Sequence, residues 1–179
     1  KNTTDTNRRR LAERKHLPHE SPAWVGDGAI YFITICAVPR GMNQLCLPET
    51  AASLRESLIF RQTRGEWWVH LLLFMPDHLH ALMSFAPSPG MRRSVAQWKR
   101  YVAREFHVHW QDGFFDHRLR NDENYREKAH YVRMNPVRAG LVERSEDWPF
   151  VWSSIPEGLA VGRAVWLRPP GLGLNSRGA

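Results

Sequence analysis

Apolar positions along the chain change their period several times, and each change marks an element. Ala29 to Val38 (AIYFITICAV) is dense in β-branched and aromatic residues and reads as a buried strand. Leu47-Pro48-Glu49 opens a helical stretch to about Arg64, with Ala52, Leu58 and Ile59 as its inner stripe. Pro is harmless there because the first helical N–H groups have no partner within the helix. Trp67 to Phe74 (WWVHLLLF) and Leu79 to Phe85 (LHALMSF) follow as two strands joined by a short Met-Pro-Asp turn. Ser94-Val-Ala-Gln97 has the form of a capping box and starts a helix to about His109, with Val95, Trp98, Val102 and Phe106 on its apolar stripe. The stretch WQDGFFDHRLRN reads as a loop. A last helix then runs from near Asp122 to about Met134, where Asn135-Pro136 ends or kinks it.

The order strand, helix, strand, strand, helix predicts an α+β fold: an antiparallel-rich sheet with helices packed on it, compatible with the ferredoxin-like split β-α-β layout. Three regions are expected: a basic N-terminal arm over 1–28, one domain over 29–155, and a Gly- and Pro-rich tail over 156–179. The hydrophobic share, 42% of 179 residues, suffices for a real core. No apolar run approaches a membrane span, and the first residues lack the apolar centre of a signal peptide, so a cytoplasmic protein is expected. The two cysteines, Cys36 and Cys46, are then read as reduced thiols. Charge adds a partner class. Twenty-five Lys and Arg against 18 acids give a net charge of +7, which favours nucleic acid first and an anionic membrane second.

His78-Leu79-His80 is the sharpest chemical feature. In a strand, residues two apart point to the same side, so both imidazoles can converge on one ion while Leu79 packs behind. The same pattern also suits two histidines on a wet sheet face. His107-Val108-His109 repeats the spacing but falls at a predicted helix end, where positions two apart diverge by roughly 200°. Tyr131 and Asn135, four apart, would share a helix face, so a phenol and an amide oxygen could reach one phosphate. Tyr131 is equally readable as an amphipathic core residue with its hydroxyl at the surface. A phenol titrates near 10 and is a poor nucleophile at neutral pH, so a hard divalent cation would help by polarising the phosphoryl oxygen. Two imidazoles, one amide oxygen and open positions suit Mg²⁺ or Mn²⁺, with nitrogen ligands tilting toward Mn²⁺, and do not match thiolate-rich structural zinc.

Four blocks occur in order: Phe74-Met-Pro-Asp-His-Leu-His80, Trp110-Gln-Asp-Gly-Phe-Phe-Asp-His-Arg-Leu-Arg120, Tyr131-Val-Arg-Met-Asn-Pro-Val-Arg-Ala-Gly-Leu-Val142 and Asp147-Trp-Pro-Phe150. Together they resemble the REP-associated tyrosine transposases, a branch of the single-tyrosine HUH transposases, over roughly residues 28 to 154. The resemblance implies an RRM-like sheet with the histidine pair on a strand and the nucleophile on a following helix. By position, His78 and His80 match the metal ligands, Asn135 a third ligand and Tyr131 the nucleophile. Relatives from the insertion-sequence branch often carry glutamine at the position of Asn135. His117 lies beside its block as a candidate to orient tyrosine, metal or DNA.

The implied reaction is strand transfer on single-stranded DNA through a 5′-phosphotyrosine, with palindromic-repeat hairpins as substrate and no nucleotide cofactor. The expected setting is the nucleoid of a bacterial cytoplasm, and the expected state is monomer or homodimer. Arg8, Arg9, Arg10, Arg14 and Lys15 in the arm, Arg93, Lys99, Arg100 and Arg104 on the second helix, and Arg118 and Arg120 are candidates for phosphate contacts. Two other classes fit the same sequence. One is a domesticated relative that holds hairpins without cutting them; the other is an RNA-binding sheet protein, although no RNP-type aromatic run is recognisable.

Overall fold

Strand alternation sorts the apolar side chains into two layers. In the computed structural model, which describes residues 29–120 and 122–153, five strands form one sheet: β1 (Tyr31–Cys36), β2 (Trp67–Met75), β3 (His78–Phe85), β4 (Phe115–Arg118) and β5 (Val151–Ser153). Their order is β4-β1-β3-β2-β5, and every neighbouring pair is antiparallel. With α1 (Pro48–Thr63) joining β1 to β2 and α2 (Met91–Phe106) joining β3 to β4, this is the ferredoxin-like split β-α-β arrangement expected from the sequence. The arm, the tail and the arm residues Arg8, Arg9, Arg10, Arg14 and Lys15 lie outside the described residues.

Ile33, Ile35, Leu79, Ala81 and Met83 point to one side of the sheet and pack with Leu54 and Leu58 of α1 and Val95, Trp98 and Val102 of α2. Phe32, Leu71, Leu73 and Leu82 point to the other, where Tyr125, Ala129 and Val132 of α3 (Asp122–Arg133) cover them. The histidine pair belongs to this second face.

Several expectations need correction. The inner stripe of α1 is Ala51, Leu54, Ser57 and Leu58, while Ala52 is exposed; the helix is rotated by about one residue, or ~100°, from the predicted phase. The loop WQDGFFDHRLRN contains β4, which pairs with β1 through Phe32 and His117. Helix α2 starts at Met91 behind Gly90, whose φ of 81° few residues other than glycine adopt. Ser94 is therefore no cap. Its hydroxyl is fully buried with no hydrogen-bond partner. Ser94→Ala is expected to stabilise the protein by about 1 kcal/mol in urea unfolding, because an unmet buried hydroxyl keeps its desolvation cost; a loss of stability would show that the hydroxyl has a partner. Finally, α2 ends at Phe106, with His107 left-handed (φ 54°). His107 and His109 are exposed on either side of buried Val108, so helical divergence is not what separates them. Among the described residues, no group of three or more His, Cys, Asp and Glu is placed to hold a metal ion.

Candidate active site

The turn between β2 and β3 builds the first half of the site. Asp77 accepts the Gly41 N–H at 2.7 Å and the Arg40 guanidinium at 3.1 Å on Oδ2, and its Oδ1 lies 2.7 Å from Nδ1 of His78. Burial alone would raise the Asp77 carboxyl, but the Gly41 N–H, His78 and Arg40 outweigh it and hold it below the ordinary range. A carboxylate only accepts, so Nδ1 of His78 donates to it, and Nε2 is the ring nitrogen left over for an ion.

His80 is oriented by the neighbouring strand. Thr34 is its register partner on β1, and Thr34 Oγ1 sits 2.8 Å from His80 Nδ1. Phe32 stacks on the other side of the ring, with centroids 5.4 Å apart. Burial pushes His80 down to about 3, and the charges of His78, Arg138 and Arg40 act in the same direction. It is a neutral imidazole at neutral pH, the form that ligates metals. The two rings are 4.8 Å apart, and each has Nδ1 engaged by an oxygen. That is the outer-shell pattern of metal-binding histidines, so the chemistry of the pair suits a divalent ion.

Tyr131 comes from the covering helix. Ala129 and Val132 bury the inner face of α3, which leaves Tyr131 at the rim, 44% exposed, with its ring edge-on to Phe32 at 6.2 Å. Lys128 Nζ stands 5.1 Å and Arg138 Cζ 4.2 Å from the Tyr131 ring centroid. Phe32, Thr34, His80, Phe115, His117, Lys128 and Tyr131 together line one cavity of about 480 Å³.

The helix terminus explains Asn135. Pro136 has no N–H to give to the carbonyl of Val132, four residues earlier. Asn135 replaces it: Nδ2 donates to the carbonyls of Val132 at 3.1 Å and Tyr131 at 3.0 Å. The short helix α4 (Asn135–Arg138) then closes in a Schellman motif. Gly140, at φ 68°, donates to Val137, and Leu141 donates to Pro136. This doubling-back carries the Arg138 guanidinium onto the Tyr131 carbonyl and ring.

Of the residues singled out in the sequence, His80, His117 and Tyr131 line the cavity, and His78 adjoins it through His80, the two rings 4.8 Å apart. Asn135 does not line the cavity, and its amide N is committed to the helix end. The α2 residues Arg93, Lys99, Arg100 and Arg104 ride on the helix layer across the sheet from Tyr131. Lys99 Nζ donates to the carbonyls of Gln111 and Gly113, holding the approach to β4, and Arg104 pairs with Glu105 at 2.6 Å. Arg93 and Arg100 are exposed; Arg118 is half-buried on β4, and Arg120 is exposed just beyond it. Sequence reading missed Phe32, Thr34, Asp77, Phe115, Lys128 and Arg138. Lys128 was discoverable, because it lies three residues from Tyr131 on the same helix face.

No protein-family model matches the chain. Over 128 residues it is 25% identical to a REP-associated tyrosine transposase of Escherichia coli K12, an alignment covering 69% of this chain and 75% of that protein. A protein of Haemophilus influenzae Rd, provisionally named a REP-associated tyrosine transposase, is 27% identical over 142 residues, covering 69% and 78%. The chain is a relative of the REP-associated tyrosine transposases. A solved structure of such a transposase bound to a REP hairpin superposes with a TM-score of 0.58 at 23% identity, covering 70% of this chain and 76% of that one, which supports the shared fold. In this transposase relative the four sequence blocks meet physically. The Trp148 indole N–H donates to the carbonyl of Phe74, and Phe74 N–H donates to Phe150, so the last block is pinned beside the strand that leads to the histidine turn.

Proposed function

We propose that the chain is an HUH-type single-strand DNA endonuclease and strand transferase acting on palindromic-repeat hairpins. The observation that carries this reading is that Tyr131 and His80 line one cavity on either side of Phe32. The hairpin as substrate is drawn from the solved relative bound to one.

In this reading the Tyr131 hydroxyl oxygen attacks phosphorus in a single-stranded phosphodiester. The bond to the upstream 3′-oxygen breaks, the phenolic proton is released, and a 5′-phosphotyrosine and a free 3′-OH result. Another 3′-OH reverses the step, so phosphoester bonds are conserved and no nucleotide cofactor is needed. Lys128 and Arg138, beside the Tyr131 ring, receive the phosphate. His78 and His80 would hold Mg²⁺ or Mn²⁺, with Asn135 Oδ1 as a further candidate donor. When bound, the ion supplies polarisation of the phosphoryl oxygen. Asp77 accepts from Nδ1 of His78, and Thr34 Oγ1 holds the His80 ring by the same atom, which fixes the orientation of both imidazoles. Because nucleophile and ligands belong to one chain, a single copy assembles the site. The proposed setting is the bacterial cytoplasm, at the nucleoid.

The test is incubation with a single-stranded oligonucleotide carrying a repeat hairpin, in Mg²⁺ or Mn²⁺, followed by denaturing electrophoresis. A protein–DNA species that survives detergent is expected. One observation favours a second reading, a hairpin-binding relative without cleavage: the Asn135 amide is spent on the helix end and lies off the cavity. Tight hairpin binding with no adduct in either metal would establish that reading instead.

A further inference from the structure

Phe115 is a large apolar side chain that the fold leaves in the open. It sits on β4 at the edge of the sheet and is 57% exposed. Among the described residues one ring supports it: Phe115 meets Phe32 edge-on, with centroids 6.0 Å apart. Phe32 also takes the edge of Tyr131 at 6.2 Å, so two exposed aromatic rings stand on one buried ring. Among the described residues, the cavity they share has Lys128 and His117 in its lining and no carboxylate. Lys128 Nζ lies 5.0 Å from the Phe32 ring and 5.1 Å from that of Tyr131.

The chemistry of these walls is specific to one kind of ligand. A flat aromatic face asks for another flat face, and the cation asks for an anion next to it. A nucleotide has both, a base joined through its sugar to a phosphate. A base inside a duplex has both faces covered by its neighbours, whereas an unpaired base can turn one face to a protein ring. We propose that Phe115 is a stacking platform for one unpaired base next to the phosphodiester that faces Tyr131, with Lys128 on that phosphate. This rests on the nucleic-acid reading of the site and sharpens it, because it names the element that makes the site demand single strand.

The experiment compares two fluorescein-labelled probes of equal length and charge, dT10 and a decamer of abasic sugar-phosphate units. Binding to the full chain is followed by anisotropy without divalent metal, so that no cleavage intervenes. Phe115→Ala is expected to weaken dT10 binding by about 5- to 150-fold, the range for loss of one aromatic–base stack. The same variant should leave the abasic decamer unchanged, and Phe115→Trp should retain dT10 binding. Equal loss on both probes, no loss on dT10, or no dT10 binding by the parent protein overturns the proposal. Adduct formation on the hairpin is a separate readout. A chain that forms the adduct but shows no base-dependent effect of Phe115 refutes the platform alone, and one that stacks dT10 but forms no adduct refutes cleavage alone.

Discussion

Tyr131→Phe is expected to abolish the covalent protein–DNA adduct while weakening hairpin binding by no more than about fivefold, the equivalent of one hydrogen bond. The ring does the packing: its edge on Phe32 and its face toward Lys128 and Arg138 are kept by phenylalanine. Only the attacking oxygen is lost, and no other tyrosine lines the cavity. Of the four tyrosines, Tyr31 is buried on β1 among the residues that face α1 and α2. Tyr101 is carried by α2, the helix across the sheet. Tyr125 shares the helix of Tyr131 but is 7% exposed, wedged among Leu71, Leu73 and Val132, and burial pushes its hydroxyl above the ordinary range. An adduct of undiminished yield from Tyr131→Phe would remove Tyr131 from the reaction and with it the mechanism proposed above. Loss of adduct together with a hundredfold loss of binding would mean that the hydroxyl holds DNA rather than cutting it.

How far that site was legible in the sequence depends on how each piece is stabilised. β1, β2 and β3 carry dense apolar runs because helices cover one sheet face and α3 part of the other, and such runs announce themselves. β4 does not. Phe115-Asp-His-Arg118 is four residues long with two charged side chains, and its strand character comes from pairing with β1 rather than from its own pattern. Yet β4 places His117 and Phe115 at the cavity. β5, three residues long, was hidden for the same reason. The histidine pair was legible through its spacing, but its orienting partners were split between a turn and a distant strand. Thr34 reaches His80 across 46 positions of sequence, a relation that only the β1–β3 register creates. Asn135 was read for what its amide oxygen could do, while the fold uses its nitrogen to repair the hydrogen bond that Pro136 cannot make.

Acid is expected to unfold this protein by a route that passes through the same helix. His70 on β2 is 8% exposed, its Nε2 lies 2.9 Å from Ser84 Oγ, and burial pushes it from 6.5 down to about 4. In the unfolded chain the imidazole takes a proton once the pH falls below about 6.5; in the folded chain it resists until about 4. The unfolded state therefore binds more protons across that window. The stabilisation is fully present above pH 6.5 and is lost as the pH falls toward 4, by about 3 kcal/mol from this one group. Urea unfolding of the metal-free chain at pH 7.5 and pH 4 measures the loss. The paired variant His70→Leu/Ser84→Ala, which removes both members of the His70–Ser84 hydrogen bond, should lose about 3 kcal/mol less over the same interval. Identical losses in the two proteins would mean that His70 already exchanges protons freely in the folded state. The position of His70 links this to function: its ring lies 6.3 Å from that of Tyr125, one of the anchors of α3 on the sheet. A charge forming there must be hydrated, which opens the packing beneath the helix that carries Tyr131. Adduct formation should therefore decline in the same acid window, and the paired variant should hold its activity to lower pH than the parent chain.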